Sequence, residues 1–253
     1  MSDMPRRIYG WIPDSPDHRD HVFAATHTAQ QLPPKVDLHQ TCPPVYDQGQ
    51  LGSCTANALA AAFDFERRRQ NLPFLTPSRL FLYYNERAIE GSVDEDSGAQ
   101  IRDGMKSLAS QGICPEAMWP YHVQSFASKP DAACYTSALQ HRTVQYRRVP
   151  QDLVSLKSCL AGGYPFVLGI TVFQSFESDA VAKTGRVPMP SANDQELGGH
   201  AVMAVGYSDA SQRFLIRNSW GPKWGINGYF TLPYEYVTNT DLTSDLWTIR
   251  FVE

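Results

Sequence analysis

The chain has 253 residues, enough for one large domain or two lobes sharing a cleft. An apolar content of 42% with only 19% charged residues excludes a disordered chain and calls for a sizeable core. The formal charge of −4 is spread without long runs, which argues against nucleic acid or an anionic membrane surface as a partner.

Residues 1–31 read as an N-terminal extension, polar and with little periodicity, in which Tyr9, Trp11, Ile12 and Pro13 form a compact apolar anchor. Met1 to Asp20 lacks the apolar core of a secretory signal, which leaves the compartment unassigned between the cytoplasm and another export route. No stretch approaches the ~18 apolar residues of a membrane span. The run Asp17-His18-Arg19-Asp20-His21 has no second ligand cluster beside it, so it reads as an exposed turn, and no metal site or cofactor is expected.

From about 41 to 145, helix signals dominate. Ala56, Leu59, Ala60 and Phe63 recur at helical spacing, and Ala58, Ala61, Ala62 and Phe65 fill the other faces, which predicts a buried helix ending near Asn71 and Pro73. The triplet Arg67-Arg68-Arg69 falls at its end and reads as solvated cations suited to the helix dipole. Thr76-Pro77-Ser78 predicts the capped start of a second helix running to about Ala88. A third covers Ile101 to Gln111 and stops at Gly112.

After about 145 the pattern changes. One short helix is predicted near Asp152 to Leu160. It is followed by strand-length apolar runs at Phe166 to Val172, Ala201 to Gly206, Phe214 to Arg217, Tyr229 to Leu232 and Leu246 to Phe251. The fold class is therefore α+β: a helical lobe, then an antiparallel β lobe, with a cleft between them as the natural place for a site.

Cys54 follows a glycine-rich turn and begins the buried helix. The positive end of a helix dipole favours thiolate, the nucleophilic form, over thiol. Downstream stand Gly198-Gly199-His200-Ala201-Val202 and Arg217-Asn218-Ser219-Trp220-Gly221. A thiol nucleophile needs a base to take its proton and a third group to aim that base, and Cys54, His200 and Asn218 supply those types. Singly, each has a plainer reading: a small buried hydrophobe, a core histidine, a turn former. The other cysteines, Cys42, Cys114, Cys134 and Cys159, show no repeated spacing and read mostly as free thiols, with Cys114, Cys134 and Cys159 structural.

These motifs resemble those of the papain-like cysteine peptidases. The likeness spans about residues 32 to 253, from Leu32-Pro33-Pro34-Lys35-Val36-Asp37, which is similar to the family's mature start. Gln48, six residues before Cys54, matches the family's oxyanion-hole glutamine. Ser97-Gly98 resembles its substrate-backbone-binding glycine pair, and Asn218 to Tyr229 is a near-complete match to its asparagine block. The resemblance implies the two-lobe papain-like fold, divided here at about 41–145 and 146–253. It also implies peptide hydrolysis through a Cys54 thioester, with His200 as acid and base, Asn218 orienting it and Gln48 in the oxyanion hole. Peptide or protein is the implied substrate, with Ser97, Gly98, Phe166, Gly199 and Trp220 in its binding sites.

Two departures stand out. Leu51 replaces a cysteine that normally forms a disulfide, and the usual partner region, Asp94-Glu95-Asp96, holds none either. Thr55 replaces a tryptophan. The N-terminal extension lacks propeptide motifs, yet family resemblance implies a segment able to occupy the cleft in cis and inhibit. An inactive peptide-binding relative and a transamidase using the same residues are the alternative readings.

Overall fold

The structure is a computed structural model and describes residues 8–253. Its centre is helix α1, Cys54–Arg69, in which every residue from Cys54 to Arg67 is buried. Five alanines from Ala56 to Ala62 present small side chains on all faces, so neighbouring elements pack closely all round. Helices α2, Arg79–Glu90, and α3, Ile101–Ser110, cover one side.

Helix α2 starts later than expected. Pro77 is held extended in a bridge to Pro115, so the cap is Ser78, whose hydroxyl accepts from the Phe81 N–H at 3.1 Å. Arg67 is not a solvated helix end. It is buried, and its guanidinium donates to the Pro73 carbonyl at 2.9 Å. Arg68 and Arg69 pair with Asp64 and Glu66.

On the other side of α1 lies a seven-stranded antiparallel sheet. Its strands are β2 (Lys35–Asp37), β4 (Thr143–Arg148), β5 (Phe166–Phe173), β6 (Glu196–Ser208), β7 (Arg213–Arg217), β8 (Tyr229–Pro233) and β9 (Thr243–Val252). They follow the order β4-β9-β5-β6-β7-β8, with β2 added to β6. A separate two-stranded parallel pair joins β1, Trp11–Ile12, to β3, Ala99–Gln100. Four shorter helices complete the chain: α4 (Ala132–Ala138), α5 (Leu153–Ala161), α6 (Asp179–Thr184) and α7 (Tyr234–Thr238).

Strand β4 has no apolar alternation and was not predicted. Its main-chain ladder to β9 defines it, and its side chains are largely half-buried or exposed. Strand β6 begins well before Ala201. Gly198 and Gly199, outside the predicted strand, pair with Val172 and Thr171 of β5. Alternation along β5 sends Phe166, Leu168, Ile170 and Val172 into the β-lobe core, while Val167 packs toward α1.

The α1–α3 contact is tight at Gly104. A Cβ added there would stand 2.2 Å from Leu59 Cδ1 and 2.5 Å from Glu86 Oε1. Alanine gains about 1 kcal/mol over glycine in helix propensity. Overpacking a rigid core costs about 1–3 kcal/mol. Gly104→Ala is therefore expected to lower the unfolding temperature; an unchanged or raised midpoint contradicts this packing.

Candidate active site

The loop before α1 is bound to the loop after β7. The Gln48 N–H donates to the Ser219 carbonyl at 2.9 Å, and the Gly221 N–H to the Tyr46 carbonyl at 3.0 Å. Gly49, at φ 62, makes the turn between them and the nucleophile. Tyr121 braces it from below, donating to the Gln48 carbonyl at 3.0 Å and meeting the Ser53 hydroxyl at 2.5 Å. Cys54 then emerges at the first position of α1, fully buried.

His200 comes from β6. Its Nε2 lies 2.8 Å from Asn218 Oδ1, which also accepts the Ser219 N–H at 2.8 Å. Two donors on one oxygen fix the amide orientation and place the imidazole proton on Nε2. Trp220 stacks on the His200 ring at 5.0 Å and 25°, backed by Trp224 and Phe176. The Ala201 N–H, one residue on from His200, donates to Cys54 Sγ at 3.3 Å. Cys54 thus lies against β6 one residue along from His200, at the contact between α1 and β6. The Gln48 amide nitrogen donates to the Leu51 carbonyl at 3.0 Å, and its oxygen accepts from the Ser219 hydroxyl at 2.6 Å.

The N-terminal strand crosses this constellation. Gln48 Nε2 also donates to the Ile8 carbonyl at 3.4 Å. The Ala99 N–H donates to the Gly10 carbonyl at 2.7 Å. Gly10 can pass only because it has no side chain: a Cβ there would sit 1.7 Å from the Gly52 carbonyl oxygen. The Trp11 ring lies against Gly169, and its Nε1 donates to Asp245 at 3.2 Å. Tyr9 sets its ring edge against His200 and Trp220 and donates to Glu177.

Burial pushes the Cys54 thiol up to about 11, although hydrogen bonds from the backbones of Ala201 and Gly10 pull the other way. The dipole-lowered thiol expected from sequence is thus not the state of the covered nucleophile. Desolvation outweighs the helix terminus here.

Gly98, Gly199 and Trp220 fall around the covered cleft: Gly98 and Gly199 touch Gly10 and Trp11, and Trp220 touches Tyr9. Ser97 turns its hydroxyl to Ser92 and to the Gly98 carbonyl. Phe166 is a correction. It is fully buried against Phe214 in the β-lobe core, and the β5 residue facing the cleft is Gly169. The strand alternates, so these two positions point to opposite faces. Sequence reading also passed over Asp96, Tyr83, Asp245 and Glu177. Asp96 was visible only as part of a region without cysteine. Among the described residues no group of three or more His, Cys, Asp or Glu side chains could hold a metal ion, and all five cysteines are free.

The papain family cysteine protease model matches residues 32–247. An uncharacterized peptidase C1-like protein of Acanthamoeba polyphaga mimivirus is 42% identical, over 97% of this chain and 88% of that protein. Xylellain, a cysteine protease from Xylella fastidiosa, superposes with a TM-score of 0.90 at 47% identity, covering 100% of both chains. A procathepsin B from Trypanosoma congolense shares the fold at a TM-score of 0.75 and 18% identity, over 97% of this chain and 86% of that one. With the family model spanning most of its length and α1 meeting the antiparallel sheet at Cys54, the chain belongs to the papain family of cysteine proteases.

Proposed function

We propose that the chain hydrolyses peptide bonds through a Cys54 thioester, and that its own residues 8–12 gate the cleft. The observation that carries the reading is the line from Asn218 through His200 to the peptide that contacts Cys54 Sγ. With Nε2 bonded to Asn218, Nδ1 is the nitrogen that takes the Cys54 proton. The thiolate attacks the carbonyl carbon, and the new C–S bond pushes the carbonyl electrons onto oxygen. The Cys54 N–H and the Gln48 amide hold that oxyanion in this reading, a contribution of about 2.7–4 kcal/mol per donor in comparable sites. Collapse expels the amine, which takes the proton from His200. Water then cleaves the thioester by the same steps in reverse order.

Intact Cys54, His200 and Asn218 stand against an inactive binding protein. Cys54→Ala is expected to abolish hydrolysis of a peptide library while the protein stays folded. Asn218→Ala is expected to lower single-turnover acylation less than His200→Ala, because Asn218 aims the base but transfers no proton. Substantial turnover by Cys54→Ala contradicts the mechanism, and so does equal loss in the two other variants.

The gate reading rests on direction as well as contact. In the segment, Tyr9 lies by the base and the following residues, Gly10 and Trp11, lie by Gly98 and Ala99. A substrate's acyl part precedes its leaving amine in sequence, so backbone held at Gly98 and Ala99 must come before residues at His200. The segment therefore runs backwards through the cleft and presents no bond in register. Its tether supplies a high effective concentration, so few contacts suffice. Residues 1–7 of the extension lie outside the described residues.

The far end of the segment is held by charge. Asp14 accepts from the Arg102 N–H at 3.0 Å and from Trp247 Nε1 at 2.8 Å. Asp245 accepts from the Asp14 N–H at 2.7 Å and from Arg148 at 3.1 Å, while Asp20 pairs with Arg102 and Arg148. Burial, and then the neighbouring Asp245 charge, push Asp14 up to about 6 from 3.8. A carboxyl raised in the docked state favours docking when protonated, so its contribution is complete below the free value and lost as pH rises through about 6. Opening, read as hydrogen exchange at the Ala99 amide corrected for its intrinsic pH dependence, is expected to increase from pH 5 to 7.5. Asp14→Asn should flatten that rise, and Trp11→Ala should speed exchange and raise peptide turnover at every pH. Exchange and turnover unchanged in Trp11→Ala contradict the gate.

A further inference from the structure

We infer that Asp96 is a positioning residue for the oxyanion hole, occupying the place where the resembling family uses a disulfide. The inference rests on the peptidase reading of the site. The peptide group between Leu51 and Gly52 is gripped at both ends. Its carbonyl, on Leu51, accepts from the Gln48 amide nitrogen at 3.0 Å. Its N–H, on Gly52, lies 3.0 Å from both carboxylate oxygens of Asp96. Asp96 therefore sets the plane of the peptide group whose carbonyl aims Gln48, and Gln48 is the side-chain donor to the oxyanion.

The same carboxylate reaches the substrate-backbone side. Tyr83 donates its hydroxyl to Asp96 at 2.5 Å and accepts the Gly98 N–H at 3.2 Å. Gly98 then leads to Ala99, whose N–H bonds the strand in the cleft. Asp96 is itself held by a buried arginine. Arg87 lies over the Tyr83 ring at 4.1 Å and donates to the Val93 and Glu95 carbonyls at 2.7 and 2.9 Å. The guanidinium fixes the turn that presents the carboxylate, and its charge stands near it. A covalent bridge at Leu51 would hold the loop in place; Asp96 also orients one particular peptide plane.

The two arms separate in kinetics. Loss of the Gly52 grip disturbs a donor used mainly in the transition state, so Asp96→Ala is expected to lower kcat about ten- to a hundredfold with a smaller change in KM. Asp96→Asn keeps an oxygen acceptor for Gly52 and is expected to recover most of that loss. Tyr83→Phe keeps the Gly52 grip but releases Gly98, so KM should rise more than kcat falls. Hydrogen exchange at the Gly52 amide in the intact full-length chain, measured beside turnover, reads the grip without reference to activity. It should quicken about tenfold or more in Asp96→Ala and stay near wild type in Asp96→Asn and Tyr83→Phe. Unchanged exchange in Asp96→Ala overturns the inference, as does a kcat equal to wild type or an equal loss in Asp96→Asn. If wild-type turnover proves independent of Cys54, the peptidase reading fails instead, and Gly52 exchange still judges the grip.

Discussion

The hydrogen bond from the Ala201 N–H to Cys54 Sγ is the point on which the molecule turns. It joins the first residue of α1 to β6, one residue from His200, and so closes the two lobes on each other where the chemistry sits. It depends on α1 being thin enough to lie flush against the sheet, which its alanines secure. Everything else at the site is arranged around that contact. Asn218 and Trp220 fix the imidazole from the β side. Gln48, bonded to Ser219, ties the loop before α1 to the same place.

The strand β1 crosses the cleft beside Cys54 and His200. Water gives the Cys54 thiol its normal ability to ionise, and the strand excludes it. A glycine at position 10 and glycines at 98, 169 and 199 let backbone and the Trp11 ring come close enough for that exclusion. Cys54, bonded by the Ala201 N–H, and a thiol raised by burial are thus found together.

Much of this was legible in sequence, for identifiable reasons. The all-round apolar pattern of α1 could only be a buried helix, and the glycine-rich turn before it put Cys54 at its start. The asparagine block is dense enough to place Asn218 and Trp220 together. What escaped notice depended on long-range contact. Strand β4 exists through its ladder to β9, which its polar side chains do not advertise. Phe166 was assigned to the cleft, but strand parity sends it to the core and leaves Gly169 at the wall. Asp96 gave no signal beyond the lack of a cysteine, because its role is an acceptor for the backbone of a residue 44 positions away. Burial raises the Cys54 thiol against the lowering expected from the helix terminus, and burial by distant elements leaves no local pattern.

The central claim is that Cys54 sits assembled but protonated beneath its own N-terminal strand. The pH dependence of its carboxymethylation by iodoacetamide in the intact chain tests this most directly, followed between pH 6 and 9 by mass spectrometry of the Cys54 peptide. A covered thiol that ionises near 11 reacts only through its small thiolate fraction, so the rate should climb about tenfold per pH unit across that range. A rate that is already high and flat from pH 6 would mean a preformed thiolate, and would contradict it.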